Sequence, residues 1–166
     1  MDALGSLAPV SDRYATLPVA DAFDWRGVGR QLGDGEWYLV AFRSIRRPGA
    51  DEARLTDYDE RAHQEAASSA GYVHYFKGPI GADDTCLSFC LWTSRAEARA
   101  AAGKPDHVEA VSLLNEMYAA YTLEFLRVTV RDGAIAFEPY DAPPPGLPAS
   151  APHFGDLDLG LLPAPS

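Results

Sequence analysis

The chain has 166 residues, 47% of them apolar and 23% charged, with a formal net charge of −10. That length is one domain's worth and supports a sizeable core, while the negative balance argues against a nucleic-acid partner, which needs clustered Lys and Arg. No apolar run approaches the ~20 residues of a membrane helix. The N-terminal stretch Met1-Asp-Ala-Leu-Gly-Ser6 lacks the basic and apolar regions of a secretory signal. The expected location is therefore cytoplasmic, with no membrane partner.

Residues 1–35 show little periodicity and read as an extended arm with aromatic anchors at Phe23 and Trp25. Gly27-Val-Gly29 has neither a preceding strand nor a correctly spaced third glycine, so it is no dinucleotide loop. Residues 36–45 form the first strand, with Trp37, Leu39 and Ala41 alternating against Tyr38, Val40 and Phe42. Pro48-Gly49 is a turn signal. Thr56 and Asp59 have the spacing of a box-like cap, so a helix is expected from there. Its inner stripe is Tyr58, Ala62 and Ala66, and Gly71 is the left-handed terminator.

Residues 72–77 make a second strand and residues 86–92 a third. In the third, Leu87, Phe89 and Leu91 share one face while Cys86, Ser88, Cys90 and Trp92 share the other. Both faces are largely uncharged, as in a sheet covered on both sides. The two cysteines are roughly 13 Å apart at ~3.3 Å per residue, beyond disulfide reach, and too few for a zinc site. They read as buried thiols.

Ser94 and Glu97 have capping-box spacing for a helix starting near Arg95. Gly103-Lys-Pro105 interrupts it, and a second piece follows with Val108, Val111, Leu114, Tyr118 and Tyr121 as its stripe. Residues 123–130 make the fourth strand. Asp132-Gly133 then predicts a hairpin returning over 134–139. Residues 141–166 hold seven prolines and almost no periodicity, which marks a tail. The division expected is an arm over 1–35, a domain over 36–140 and a tail over 141–166.

Strand, helix, strand, strand, helix, strand is the split βαβ order of a ferredoxin-like α+β domain with an antiparallel sheet. Two helices cover one face. The other needs a cover, and a second copy is the simplest one, so a homodimer is expected. The competing cover is the arm or the tail of the same chain.

Phe89-Cys-Leu-Trp-Thr-Ser-Arg-Ala-Glu97, continuing to Pro105-Asp-His107-Val-Glu-Ala110, resembles the third-strand and second-helix region of the antibiotic-biosynthesis-monooxygenase-like proteins. The chain is also similar to a bacterial subgroup sharing Gly35-Glu-Trp-Tyr-Leu-Val40 and His74-Tyr-Phe-Lys-Gly78. The first resemblance spans roughly residues 36–131 and implies a dimeric α/β barrel, here with an added hairpin strand. It implies no single chemistry, since that superfamily includes haem-degrading enzymes, dismutases and isomerases. Where the haem-degrading members carry a tryptophan and a histidine on the second helix, this chain has Ala101 and Val111. Haem is therefore disfavoured, and no cofactor is expected.

Five residues are candidates for a site. His63 follows Asp59 by four, a spacing that either orients an imidazole for proton transfer or makes a surface pair. His74 sits among aromatics in the second strand and either lines a cavity or is a core histidine needing a partner. Trp92 matches the family position that faces a pocket, or else is core packing. Tyr75 and Arg43 are secondary binding candidates, and the Arg43, Arg46 and Arg47 cluster reads as a solvated strand end. His107 reads as an exposed residue of an early helical turn. The expected function is a small-molecule enzyme of the cofactor-independent monooxygenase type, acting on an apolar or aromatic substrate with His63 and His74 catalytic. The alternative is a non-catalytic ligand-binding or structural dimer of the same fold.

Overall fold

A computed structural model describes residues 2–81 and 83–141. The tail expected over 141–166 lies, from residue 142 on, outside the described residues. Five antiparallel strands make one sheet in the order β2-β3-β1-β4-β5. They are β1 (Gly35–Arg46), β2 (Tyr72–Phe76), β3 (Thr85–Trp92), β4 (Tyr118–Arg131) and β5 (Ala134–Pro139). The first four strands have the ferredoxin-like arrangement, and β5 adds to β4 through the hairpin at Asp132 and Gly133, whose φ angles are 51° and 77°. Both residues in the left-handed region match the two-residue turn that suits strand twist.

On one face lie α3 (Glu52–Ala67), α4 (Arg95–Ala102), α5 (Pro105–Ser112) and the single turn α6 (Leu114–Met117). The helix expected from Thr56 begins one turn earlier, because the Asp51 side chain accepts from the Arg54 N–H at 3.0 Å and caps it. Ser94 caps α4 by accepting from the Glu97 N–H at 3.3 Å. The return half of that box differs: the Glu97 carboxylate accepts from the Ser94 and Thr93 hydroxyls. Tyr118 and Tyr121, expected on a helix, belong to β4. There they extend the pairing with β1 to Arg46, so backbone pairing along the whole central strand overrides the apolar spacing.

The other face settles what covers the sheet. Residues expected as an extended arm fold into a 3₁₀ turn (Tyr14–Thr16) and two short helices, α1 (Val19–Ala22) and α2 (Val28–Leu32). Tyr14, Val19, Ala22, Phe23, Trp25 and Val28 are buried there against Leu39, Leu87, Phe89, Leu91 and Val128. Phe23 sits at the centre, with ring centroids 5.7 Å from Tyr14, 5.6 Å from Trp25, 4.8 Å from Phe76 and 5.4 Å from Phe89. These edge-on contacts add directional attraction to area burial.

Polar clamps fix the layer. Tyr14 Oη donates to the Pro79 carbonyl at 2.6 Å, and Arg43 Nη1 donates to the Ala15 carbonyl at 2.6 Å while its Nε pairs with Glu124. A Cβ on Gly78 would collide with the Leu87 carbonyl and the Tyr14 hydroxyl, so only glycine lets this loop approach so closely. The interface expected between two copies, sheet face on sheet face, is therefore filled by the chain's own residues 4–28.

Replacing Phe23 with Ala is expected to cost about 3–5 kcal/mol, from lost burial plus the cavity left behind. Urea unfolding at equilibrium reads this as a lower midpoint, and a loss under about 1 kcal/mol would contradict the packing described.

Candidate functional site

A cavity of about 220 Å³ lies between the helices and the sheet. Its floor is Tyr38, Val40 and Phe42 of β1, Ser88, Cys90 and Trp92 of β3, and Tyr75 of β2. Strand alternation puts them on the helix side, and Leu39, Ala41, Leu87, Phe89 and Leu91 largely on the arm side. The roof comes from α3 (Leu55, Tyr58, Asp59, Ala62, His63, Ala66), α4 (Ala98, Ala101, Ala102) and α5 (His107, Ala110, Val111). Those spacings are three and four residues, one helical face in each case. Six of the roof residues are alanines, and this explains the space: the helices present methyl groups where larger side chains would have filled it.

Polar groups at the cavity are few and mostly engaged. Tyr75 Oη donates to Asp59 Oδ1 at 2.9 Å, while Asp59 Oδ2 pairs with Lys77 Nζ at 2.8 Å. Burial, and then the Asp59 charge, push the Tyr75 phenol well above its ordinary range, so it stays protonated. Burial, with Asp59 again, raises the Cys90 thiol to about 12, which makes it an inert wall rather than a nucleophile. His63 Nε2 lies 3.1 Å from Tyr72 Oη, and its ring centroid is 4.9 Å from that of Tyr75.

His107 is brought in as well. Its backbone N–H donates to Glu65 Oε2 at 3.0 Å, which ties α5 to α3. Its ring lines the cavity, and burial lowers its pKa against a smaller opposing pull from Glu65.

Of the sequence candidates, His63, Trp92 and Tyr75 line one cavity. His74 and Arg43 do not. A register shift between Tyr72 and His74 places Tyr72 opposite Trp92 and His74 opposite Leu91. Tyr72 and Tyr75 thus share the cavity side, while His74 faces the arm, 6.2 Å from the Phe89 ring. There its Nε2 is buried without a hydrogen-bond partner among the described residues, and burial lowers its pKa. Arg43 holds the arm, as above. Arg46 pairs with Glu52, and Arg47 Nε donates to the Asn115 carbonyl at 3.2 Å, so this basic cluster binds its own chain.

His107, read as exposed, is the residue the sequence pattern missed. Pro105 starts α5, and counting by three and four from His107, two residues further on, gives Ala110, Val111 and Leu114 as the rest of the inner stripe. Val108, expected inside, is 38% exposed. Among the described residues, no cluster of three or more His, Cys, Asp or Glu is placed to hold a metal ion, and no helix is long and apolar enough to cross a membrane.

The sequence profile of the PB2B2.08-like family matches residues 1–139. The chain belongs to that family. The match includes the residues of the arm. No curated protein matches it. Among solved structures, a Shewanella oneidensis protein aligns at TM-score 0.50 and 10% identity, over 58% of this chain and 94% of that one. SnoaB of Streptomyces nogalater, described as a cofactor-independent oxygenase, aligns at TM-score 0.44 and 19% identity, over 60% of this chain and 95% of that one. A Mycobacterium tuberculosis protein aligns at 0.48 and 15%, over 59% and 97%. The ferredoxin-like arrangement of strands and helices is shared with the Shewanella oneidensis protein. Nearly the whole of each neighbour is matched, whereas a large part of this chain lies outside the match.

The two half-buried histidines, His74 and His107, set a pH dependence. Both have folded-state pKa values lowered by burial, so below about 6.5 the unfolded chain binds more protons than the folded one. Their contribution is present above about pH 6.5 and is lost as pH falls through that value toward the lowered folded pKa. The urea midpoint is expected to fall between pH 7 and pH 5, and less steeply in a His74→Gln, His107→Gln variant. An identical pH dependence in both proteins would contradict burial of neutral imidazoles.

Proposed function

We propose that the protein is a small-molecule enzyme of the cofactor-independent monooxygenase type, with an apolar or aromatic substrate in the cavity and His63 as its proton acceptor. The observation that carries this is the cavity itself: a space of about 220 Å³, walled by apolar and aromatic side chains, into which imidazoles project. An engineered apolar cavity of ~150 Å³ takes up benzene, so this one has the size for a two-ring molecule.

In such a site an acidic C–H beside an aromatic ring gives its proton to His63. The carbanion is electron-rich enough to react with dioxygen, the oxidant. For a methylene group, one oxygen atom stays as a carbonyl and the other leaves with both methylene hydrogens as water. Trp92 and Tyr75 shape the wall and orient the ring. His74 and Arg43, on the far face, have no part in this reading. The cavity is complete within one chain, so a homodimer is not needed for it.

One observation favours a second reading, ligand binding without turnover. Both carboxylate oxygens of Asp59 are engaged by Tyr75 and Lys77, which leaves His63 without the carboxylate partner that usually strengthens a base.

2-Tetralone, a two-ring molecule with an acidic methylene, separates the readings. Its methylene deuterium exchange, followed by NMR, is expected to accelerate with the protein and to drop at least 100-fold in His63→Leu. Binding by calorimetry without accelerated exchange would leave the binding reading. An Ala62→Phe variant, whose ring fills the cavity, is expected to lose binding at least tenfold while keeping its unfolding midpoint. Undiminished binding in that folded variant would overturn the cavity as the site.

A further inference from the structure

The helix side of the sheet is only partly covered. α3 lies against β2 and α4 against β3, while Phe42 of β1 and Tyr121, Leu123 and Phe125 of β4 remain half-buried on that side. Phe42 and Leu123 also line the cavity. The rings are close: Phe42 to Tyr121 is 6.0 Å, and Phe125 stacks on Tyr38 at 6.2 Å. This strip is aromatic, apolar and continuous with the cavity wall.

We propose that residues 142–166 of the same chain dock on this strip. The point where the described chain ends is the first argument. The Tyr140 N–H donates to the Phe125 carbonyl at 2.9 Å, and its ring meets the Tyr38 ring edge-on at 4.9 Å. The guanidinium groups of Arg95 and Arg127 each lie 5.1 Å from the centre of the Tyr140 ring. The chain therefore leaves on the cavity side, beside one end of the strip.

Composition is the second argument. Seven prolines, Phe154 and the leucines at 157, 159, 161 and 162 follow. Proline rings lose no rotamer entropy on burial, and proline-rich segments suit aromatic-lined grooves. Reach and charge agree as well. Leu157 can lie up to ~50 Å from Asp141 along an extended chain, whereas Tyr121 to Phe125 spans only about 13 Å of strand. The segment's charged side chains are Asp156 and Asp158, and Arg127 stands at the strip's near end. Tethering raises the effective concentration without any strong contact.

The test uses the full chain with labelled leucine methyls. Nuclear Overhauser contacts from the methyls of residues 157–162 to the Tyr121 and Phe125 rings are the expected result. A sample mixing differently labelled copies separates sources. Contacts seen only between copies assign the strip to a second chain and overturn the proposal, as does the absence of any contact. As a second readout, a full-length Leu157→Ser, Leu159→Ser variant leaves the described fold untouched. It is expected to bind 1-anilinonaphthalene-8-sulfonate several-fold more than the unsubstituted chain, and equal binding would contradict docking.

Discussion

A sheet whose strands carry apolar side chains in both alternations cannot leave either face in water, and every other feature follows from how the two faces are covered. Leu39, Leu87, Phe89 and Leu91 point one way, and Tyr38, Cys90 and Trp92 the other. Burial at ~25 cal/mol per Å² makes each face worth many kcal/mol. The first set is closed by Phe23 and Trp25 within the same chain, held by Tyr14 on Pro79 and Arg43 on Ala15. Arg43 is thus a structural clamp, which is why it is missing from the cavity.

The second face is closed differently, and a cavity results. Where the arm offers large aromatics, the helices offer alanine. Tight packing on one side gives β1 and β3 a rigid floor, and loose packing on the other leaves room for a ligand. Ion pairs from Arg61 to Asp106 at 3.5 Å and Glu109 at 3.2 Å, with His107 on Glu65, join α3 to α5 and hold the roof together. Rigid walls with sparse polar groups suit recognition by shape more than by charge.

Much of this was legible in the residues, because short-range rules governed it. Alternation in β1 and β3, the Ser94 cap, Pro105 at the start of α5 and the Asp132-Gly133 turn are local, and they place the ferredoxin-like order and the added strand correctly. His63, Trp92 and Tyr75 also converge as a site reading would want. The misplacements have a common cause in long-range pairing. The register shift before His74 depends on how β2 meets β3, and it turns that imidazole to the arm. β4 starts at Tyr118 because β1 offers a partner there, although the spacing of Val111, Leu114 and Tyr118 fits a helix. The arm carried no period because its short helices are fixed by the sheet they cover, with Phe23 and Trp25 the visible trace.

The central claim is that one chain supplies both covers of its own sheet. Light scattering on the full chain across a concentration series tests it most directly. A mass near 17.9 kDa at every concentration is the predicted result. A mass near twice that value, persisting on dilution and lost on a Phe89→Asp substitution in the arm-facing layer of a chain that still folds, would contradict it.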